Sequence, residues 1–465
     1  KLGERSSVAA DFHIKGLPDW RNTHYGVKLE DVRLYSTDVI PVVTNVVNKP
    51  LPRNVMDIIK RVTWLNMNAT FDGKLSAFKV NANMRSSAGD VKADVAISRK
   101  REGYAIKGDV VTDNLGVGHL LNQKNIHTLD TRATADVLVG NAGIVGSAHA
   151  NIESIGIGAN RYSGIGVTAT IDGSEYSVSV ASEDNNLGFS LDDHSYIKLS
   201  DEEFACNLLF RDVRADLHAL GINKRDTLSV LSADQIFVEA QGATIEQMSG
   251  VLSLSGVRYI YPAEELKTDL INATVEDIDG NKSILLDTEF FDMAYMSDLD
   301  YKQSIDFILK TLKTYVPIMY DANVEYDVPT RGSGISMALL TDARDDRVEA
   351  LLRAINPKLI IAPNTRADFT YVADTEKLSL RLDSEVLEYA GVMMENAAID
   401  INNINRDSLA IQVHSSSISS GSTPLMTNFS IRGGTCRNRL GLRATFQDSV
   451  EHRQGNLDLN ALFGR

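Results

Sequence analysis

The stretch GVTATIDGSEYSVSVA, Gly166–Ala181, decides the fold class. With the preceding Ile165, it sets Val167, Ala169 and Ile171 in alternation with Gly166, Thr168 and Thr170. It then sets Tyr176, Val178 and Val180 in alternation with Ser177, Ser179 and Ala181. Successive side chains of a strand point to opposite sides, so each run has one apolar and one polar side. The Asp172–Gly173 pair between them reads as a tight turn, which makes the stretch a β-hairpin.

The same period of two recurs along the chain. Val91, Ala93, Val95 and Ile97 alternate with Lys92, Asp94, Ala96 and Ser98, and Tyr104, Ile106 and Val110 follow in the next run. Leu378, Leu380 and Leu382 alternate with polar residues, as do Leu409, Ile411 and Val413, and then Leu440, Leu442, Ala444 and Phe446. A slip of one residue would carry any of these sets to the wet side, so their shared phase places them on one apolar surface.

Helical spacing is confined to four short stretches, at about 54–62, 114–123, 301–316 and 344–356. Those at 301–316 and 344–356 each carry a single apolar stripe and are expected to plug or cap a sheet, and the other two read as shorter helical turns. A loose repeat joins residues 160–184, 387–417 and, more divergently, 256–290. Tyr162 and Tyr389 each precede a small residue and then Gly164 or Gly391, followed by strand, turn and strand. Repeated hairpins point to a stacked array in which neighbours close one another.

Composition narrows function. The hydrophobic content is 43% and the charged content 23%, as expected of a folded chain. A formal net charge of −15 with no Lys/Arg cluster argues against nucleic acid as a partner. The two cysteines, Cys206 and Cys436, stand far apart with no metal-ligand spacing, so no zinc site is expected and both read as small buried hydrophobes. No stretch reaches the roughly 18 apolar residues of a membrane span, and Lys1 opens without a signal pattern, as if cut from a longer protein.

Candidate chemistry is thin. DIDGNKS, at 277–283, has Gly280 fourth where a calcium loop of the helix-loop-helix type needs it sixth, so it reads as a hairpin turn. GNAGIVG, at 140–146, lacks the order of a dinucleotide loop, and RGSGIS, at 331–336, lacks the Lys-Ser/Thr of a phosphate cradle. Asp193, His194 and Ser195 are adjacent, whereas a catalytic triad converges from separate segments. No catalytic residue, cofactor or metal site is assigned, and a non-enzymatic role is expected.

The blocks WLNMNATFDGKLSAFKVNANMRSSAGDVKADVAI (64–97) and YAIKGDVVTDNLGVGHLLNQKNIHTLDTRATADV (104–137), with the three Tyr-x-Gly units, resemble the TamB/AsmA-like translocation and assembly module family. The resemblance covers most of the chain as pattern and rests on degenerate positions at strand ends. It implies a mostly β fold over residues 1–465, a long repetitive sheet curled into one continuous trough with an apolar concave face. It also implies a periplasmic segment of a longer protein anchored in the inner membrane, with an outer-membrane barrel assembly protein as a partner and phospholipid acyl chains as cargo. The trough would then be lined by Val91, Ala93, Val95, Ile97, Ile106, Ile165, Val167, Ala169, Ile171, Val178, Val180, Leu378, Leu380, Leu382, Leu409, Ile411, Val413, Leu440, Leu442, Ala444 and Phe446.

Two other functions compete. A scaffold for outer-membrane protein assembly would use exposed strand edges to pair with client strands. A polysaccharide-cleaving β-helix enzyme would need clustered carboxylates on one wet face, which the sequence lacks.

Overall fold

The computed structural model describes residues 5–17, 22–46, 53–140, 143–200, 203–224, 226–244, 247–261, 264–278, 280–299, 303, 306, 336–349, 352, 358–372, 377–405, 408–436, 439–451 and 453–462. At 42–46, 53–55, 264, 336–341 and 404–405 this description covers the backbone alone. Among the described residues strand accounts for 75% and helix for 6%, so the described helices can cover only a small part of the sheet. Among the described residues there are 27 strands, which belong to one antiparallel sheet.

The chain divides into two compact units, residues 1–201 with 205–232, and residues 202–204 with 233–465. The first contains β1 (Ser7–Lys15), β2 (His24–Tyr35), β3 (Trp64–Lys74), β4 (Ala77–Ser86), β5 (Gly89–Arg99), β6 (Gly103–Leu115), β7 (Ile126–Gly140), β8 (Gly143–Ile157), β9 (Asn160–Gly173), β10 (Glu175–Glu183), β11 (Leu187–Leu191), β12 (Tyr196–Leu199) and nearly all of β13 (Phe204–Asp216). Its helices are α1 (Ser36–Val46), α2 (Arg53–Arg61) and α3 (Val117–Leu121).

The second contains most of β14 (Val230–Gly242), then β15 (Ser249–Tyr261), β16 (Glu264–Ile278), β17 (Asn281–Thr288), β18 (Phe291–Ser297), β19 (Ser336–Ala343), β20 (Leu359–Ile361), β21 (Arg366–Val372), β22 (Lys377–Tyr389), β23 (Val392–Asn405), β24 (Ser408–Ser420), β25 (Thr423–Cys436), β26 (Arg439–Asp448) and β27 (Gln454–Leu462).

From β1 to β11 in the first unit, and from β15 to β19 and β21 to β27 in the second, each strand pairs antiparallel with its neighbour in sequence. The short β12 and β20 are set aside from this order, since β11 also pairs with β13 and β19 with β21.

Four strands carry a β-bulge of one design. Two residues oppose one between Leu29 and Val32 in β2, between Thr112 and Leu115 in β6, between Arg211 and Arg214 in β13 and between Thr427 and Ser430 in β25. In each, an Asp or Asn has positive φ: Asp31 (46°), Asn114 (50°), Asp212 (51°) and Asn428 (51°). These residue types tolerate the left-handed conformation, and a bulge bends its strand and increases the local twist.

The polar groups beside the bulges are satisfied locally. The Asp31 N–H donates to Asn68 Oδ1 at 2.8 Å, Thr112 Oγ1 to the Leu129 carbonyl at 2.9 Å and Thr131 Oγ1 to the Asn151 carbonyl at 2.9 Å. Asp130 joins three further strands: it accepts from the Asn114 N–H, from Ser154 Oγ at 2.6 Å and from Arg161 Nη2 at 2.7 Å.

These bonds, that from Ser154 foremost, hold the Asp130 carboxyl below its ordinary range. Asp130→Ala should therefore cost about 2–3 kcal/mol, read as a lowered denaturation midpoint, because it strands donors on β6, β8 and β9. A folded pKa below the unfolded one means that the contribution is present above about pH 4 and is lost as pH falls through the lowered value. The variant's midpoint should accordingly fall less between pH 5 and pH 3 than the parent's. An unchanged midpoint at pH 7 would exclude this role.

The observed helices correct the sequence expectations. α2 overlaps the stretch expected at 54–62, beginning and ending one residue earlier, but Asn114 and Leu115 end β6, so the helix expected at 114–123 shrinks to α3. α1 has no counterpart among the expected helices, since Pro41 and its β-branched residues weaken the helical signal. It is tied down by Asp38 Oδ2, which accepts the N–H groups of Arg5 at 3.1 Å and Ser6 at 2.9 Å.

The stretch 301–316 lies outside the described residues except Gln303 and Asp306. Of 344–356, residues 347–349 are helical, and Arg347 lies 5.2 Å from the Phe290 ring centroid and 2.6 Å from Glu289 Oε2. This turn therefore packs on the β17–β18 connection.

The opening hairpin also turns one residue later than expected. Asp172 pairs with Glu175, which leaves Gly173, at φ 64°, and Ser174 as the two-residue loop. The repeat is similarly approximate: Gly164, at φ 64°, lies inside β9, whereas Gly391, at φ 84°, belongs to the turn between β22 and β23. Neither cysteine is in a disulfide; Cys206 is buried as expected, but Cys436 is exposed because it ends β25.

Candidate functional site

Residues directly paired across an antiparallel ladder share a side of the sheet, so register tests which side chains come together. In the first unit Val91, Ala93, Val95 and Ile97 pair with Met84, Ala82, Val80 and Phe78 on β4, and Ile97 also pairs with Ile106 on β6. Ile106 continues to Val137, and Val137 to Gly146 and Ile171. Ile165, Val167, Ala169 and Ile171 then oppose Ser182, Val180, Val178 and Tyr176. The pairs thus connect every expected residue of this unit on one side. Asn81, Asp94, Lys107, Asp136, Ser147 and Thr170 alternate with them on the other.

The second unit repeats the pattern. Leu380 and Leu382 pair with Ile401 and Ile399, which pair with Ile411 and Val413. Leu378 joins them through Tyr371 and two-residue alternation, and Leu409 through Thr435 to Leu440. Ile411 and Val413 continue through Gly433 and Ile431 to Leu442 and Ala444, and Phe446 follows in phase opposite Gly455.

Burial is the informative quantity here. Of the 21 expected residues, only Leu378, Leu409 and Ala444 are buried, and the other 18 are half-buried. The polar partners on the opposite side are mostly exposed. On β1 and β27, which among the described residues pair only with β2 and β26 respectively, apolar residues of the same phase are open: Phe12 is 69% and Leu457 60% exposed.

At one end of this side in the first unit, the three helices and the ends of β2 to β6 line an open apolar cavity of about 330 Å³. Leu34, Leu65, Met84 and Val91 line it from the sheet, Val39 from α1, Ile58, Ile59 and Val62 from α2 and its end, and Leu120 from α3. α2 and α3 are joined by Arg61 Nη1, which donates to the Leu120 carbonyl at 2.6 Å, and by a His119 Nε2 contact to the Arg61 carbonyl at 3.2 Å. Only Ser36 and Ser86 bring side-chain hydroxyls, and these donate to the carbonyls of Thr63 (3.5 Å) and Gly89 (2.8 Å). Sequence reading missed this site because α1 was unread and the apolar residues of α2 were assigned to no cavity.

The remaining motifs resolve into turns. Asp277 Oδ1 accepts the Gly280 N–H at 2.9 Å, and Ile278 pairs with Asn281, so DIDGNKS is a hairpin turn between β16 and β17. In GNAGIVG, Gly140 ends β7 and Gly143 and Gly146 lie in β8. Of RGSGIS, only Ser336, the first residue of β19, is described.

Asp192, Asp193 and His194 cluster in the turn between β11 and β12, where Arg211 Nη2 also reaches Asp192 Oδ2 at 3.1 Å. Ser195 Oγ is buried and accepts the Leu209 N–H at 3.1 Å. Hydrogen bonds from the His194 backbone and ring, and from Arg211, push the Asp192 carboxyl down to about 2, and the two carboxylates raise His194.

The Asp192 contribution to stability is present above about pH 4 and is lost as pH falls towards 2; that of His194 is present below about pH 6.5 and is lost as pH rises through its raised folded value. NMR titration should give His194 a midpoint above 6.5 that moves down in Asp192→Asn. An unmoved midpoint would rule out the pairing.

Among the described residues, no helix is long and apolar enough to cross a membrane. No family model, curated protein or solved structure matches the chain.

Proposed function

We propose that the chain is a non-enzymatic lipid conduit, a periplasmic segment of an envelope-spanning protein of the TamB/AsmA type. In this reading each unit is a stretch of trough, its sheet curled at the Asx bulges, and the apolar side is the floor along which phospholipid acyl chains pass. The parent protein is then anchored in the inner membrane and meets an outer-membrane barrel assembly protein.

The observation that carries the reading is the half-burial of an in-phase apolar side. A core closed by a second layer would bury these residues, and a surface built for water would not place them side by side.

Energetics favour movement over storage. A 16-carbon chain gains about 12 kcal/mol on leaving water at about 0.8 kcal/mol per CH₂, and the bilayer offers the same gain. Exchange between membrane and trough is then nearly neutral.

Two measurements test the reading. Organic-solvent extraction of the purified chain should yield phospholipid, and photo-crosslinkers at Ile411 and Leu442 should capture it where crosslinkers at Gln412 and Arg443 do not. A chain free of lipid, or equal capture from both sides, would overturn the reading. A second reading, a scaffold that adds client strands, is favoured by β1 and β27, whose exposed apolar residues lie along strands with one described partner each. Extraction without lipid, together with strand-edge crosslinks to client proteins, would select it.

A further inference from the structure

We infer that the cavity under α1, α2 and α3, at the end of the apolar side in the first unit, is a binding site for the methyl end of an acyl chain. The inference rests on the conduit reading and adds where a chain comes to rest and in which orientation.

Three observations carry it. The first is size: an apolar cavity of about 150 Å³ takes up benzene, so about 330 Å³ accommodates on the order of a dozen carbons. The second is chemistry. Among the described residues, neither a charged side chain nor a hydroxyl free to serve a ligand lines the cavity, because Ser36 and Ser86 already donate to backbone carbonyls. A carboxylate or headgroup would enter unpartnered at a cost of several kcal/mol, whereas a hydrocarbon end would enter with gain.

The third is continuity. Met84 and Val91 pair with each other across β4 and β5, and they belong to the same side as Ala82, Ala93 and Val95. A chain lying along that side reaches the cavity without crossing a polar residue of the sheet. Its far end must then be the headgroup, which stays outside.

Stearic acid carrying a nitroxide near its methyl end (carbon 16) or near its carboxyl (carbon 5) tests the orientation, read by paramagnetic broadening of a ¹³C-labelled Met84 methyl assigned with Met84→Leu. The carbon-16 probe should broaden Met84 at least fivefold more than the carbon-5 probe. Ala88→Phe, which fills the cavity, should remove that difference while lipid crosslinking from Val178 persists. Leu120→Ala, which enlarges the cavity, should keep it and covers the case in which Ala88→Phe does not fold.

Equal broadening by both probes, or none at Met84 while Val178 still crosslinks lipid, would overturn the inference and leave the conduit reading intact. Uptake of xenon without either fatty acid would mark a packing void and overturn it as well. Loss of both the Met84 broadening and the Val178 crosslink in the parent would overturn both.

Discussion

Gly118→Ala should lower the stability of the first unit by about 3 kcal/mol or more and unseat α3. Gly118 is buried in α3, and a Cβ there would overlap the Ile126 carbonyl and lie 2.7 Å from the Gln123 oxygen. Both obstacles are backbone atoms, one of them on the first residue of β7, so neither can rotate away as a side chain would. Relief requires the helix to move and take Leu120 from the cavity, so the cost combines strain with lost apolar contact.

For a unit of this size, 3 kcal/mol corresponds to a fall in melting temperature of about 6–12 °C. Gly158→Ala is the control. It has positive φ but nothing within 4 Å of its Cβ, so it should cost only the left-handed backbone term of about 1–2 kcal/mol. Equal melting shifts for the two variants would show that α3 is not held by close approach.

The contrast between these glycines shows where sequence reading ends. Strand alternation is a local property, so the phase of Val91, Ala169 or Leu442 is written in the neighbouring residues and the observed register agrees with it. Close approach is not local: nothing in NLGVGHLL reveals that Ile126 stands against Gly118. The bulges lie between these cases.

In β2, β6 and β13 the apolar-side positions jump by three, from Leu29 to Val32, Thr112 to Leu115 and Phe210 to Val213, and each gap ends in Asp or Asn. That spacing was readable as a break in the period of two. Its meaning became plain only once the opposing strands supplied one residue against two. α1 was hidden for another reason: Pro41 and the β-branched Val39, Ile40, Val42 and Val43 argue against a helix locally, whereas Asp38 binds the backbone of Arg5 and Ser6, more than thirty residues earlier. Tertiary contact outweighs propensity there.

Val180→Asp separates an open apolar side from a closed one. Val180 pairs with Val167 and Leu191, so a carboxylate in its place meets apolar neighbours on both flanks and no cation among its direct partners. In a closed core, burial of that charge would cost several kcal/mol and melt much of the unit. At a half-buried site water reaches the carboxylate, and the loss is that of part of a valine's apolar burial, about 1–2 kcal/mol and a melting shift of a few degrees.

The effect on lipid should be far larger. An acyl chain crossing the position must lie against the carboxylate or detach locally, and each 1.4 kcal/mol of that penalty is a tenfold change in occupancy. Lipid crosslinking from Ala169, on the same side of β9 and two residues from Val180's partner Val167, should therefore fall at least tenfold. Thr170→Asp, exposed on the opposite side, should leave it unchanged. A variant that unfolds cooperatively, from a parent that captures no lipid at Ala169, would mean that the apolar side is sealed by protein, and the conduit would have no floor.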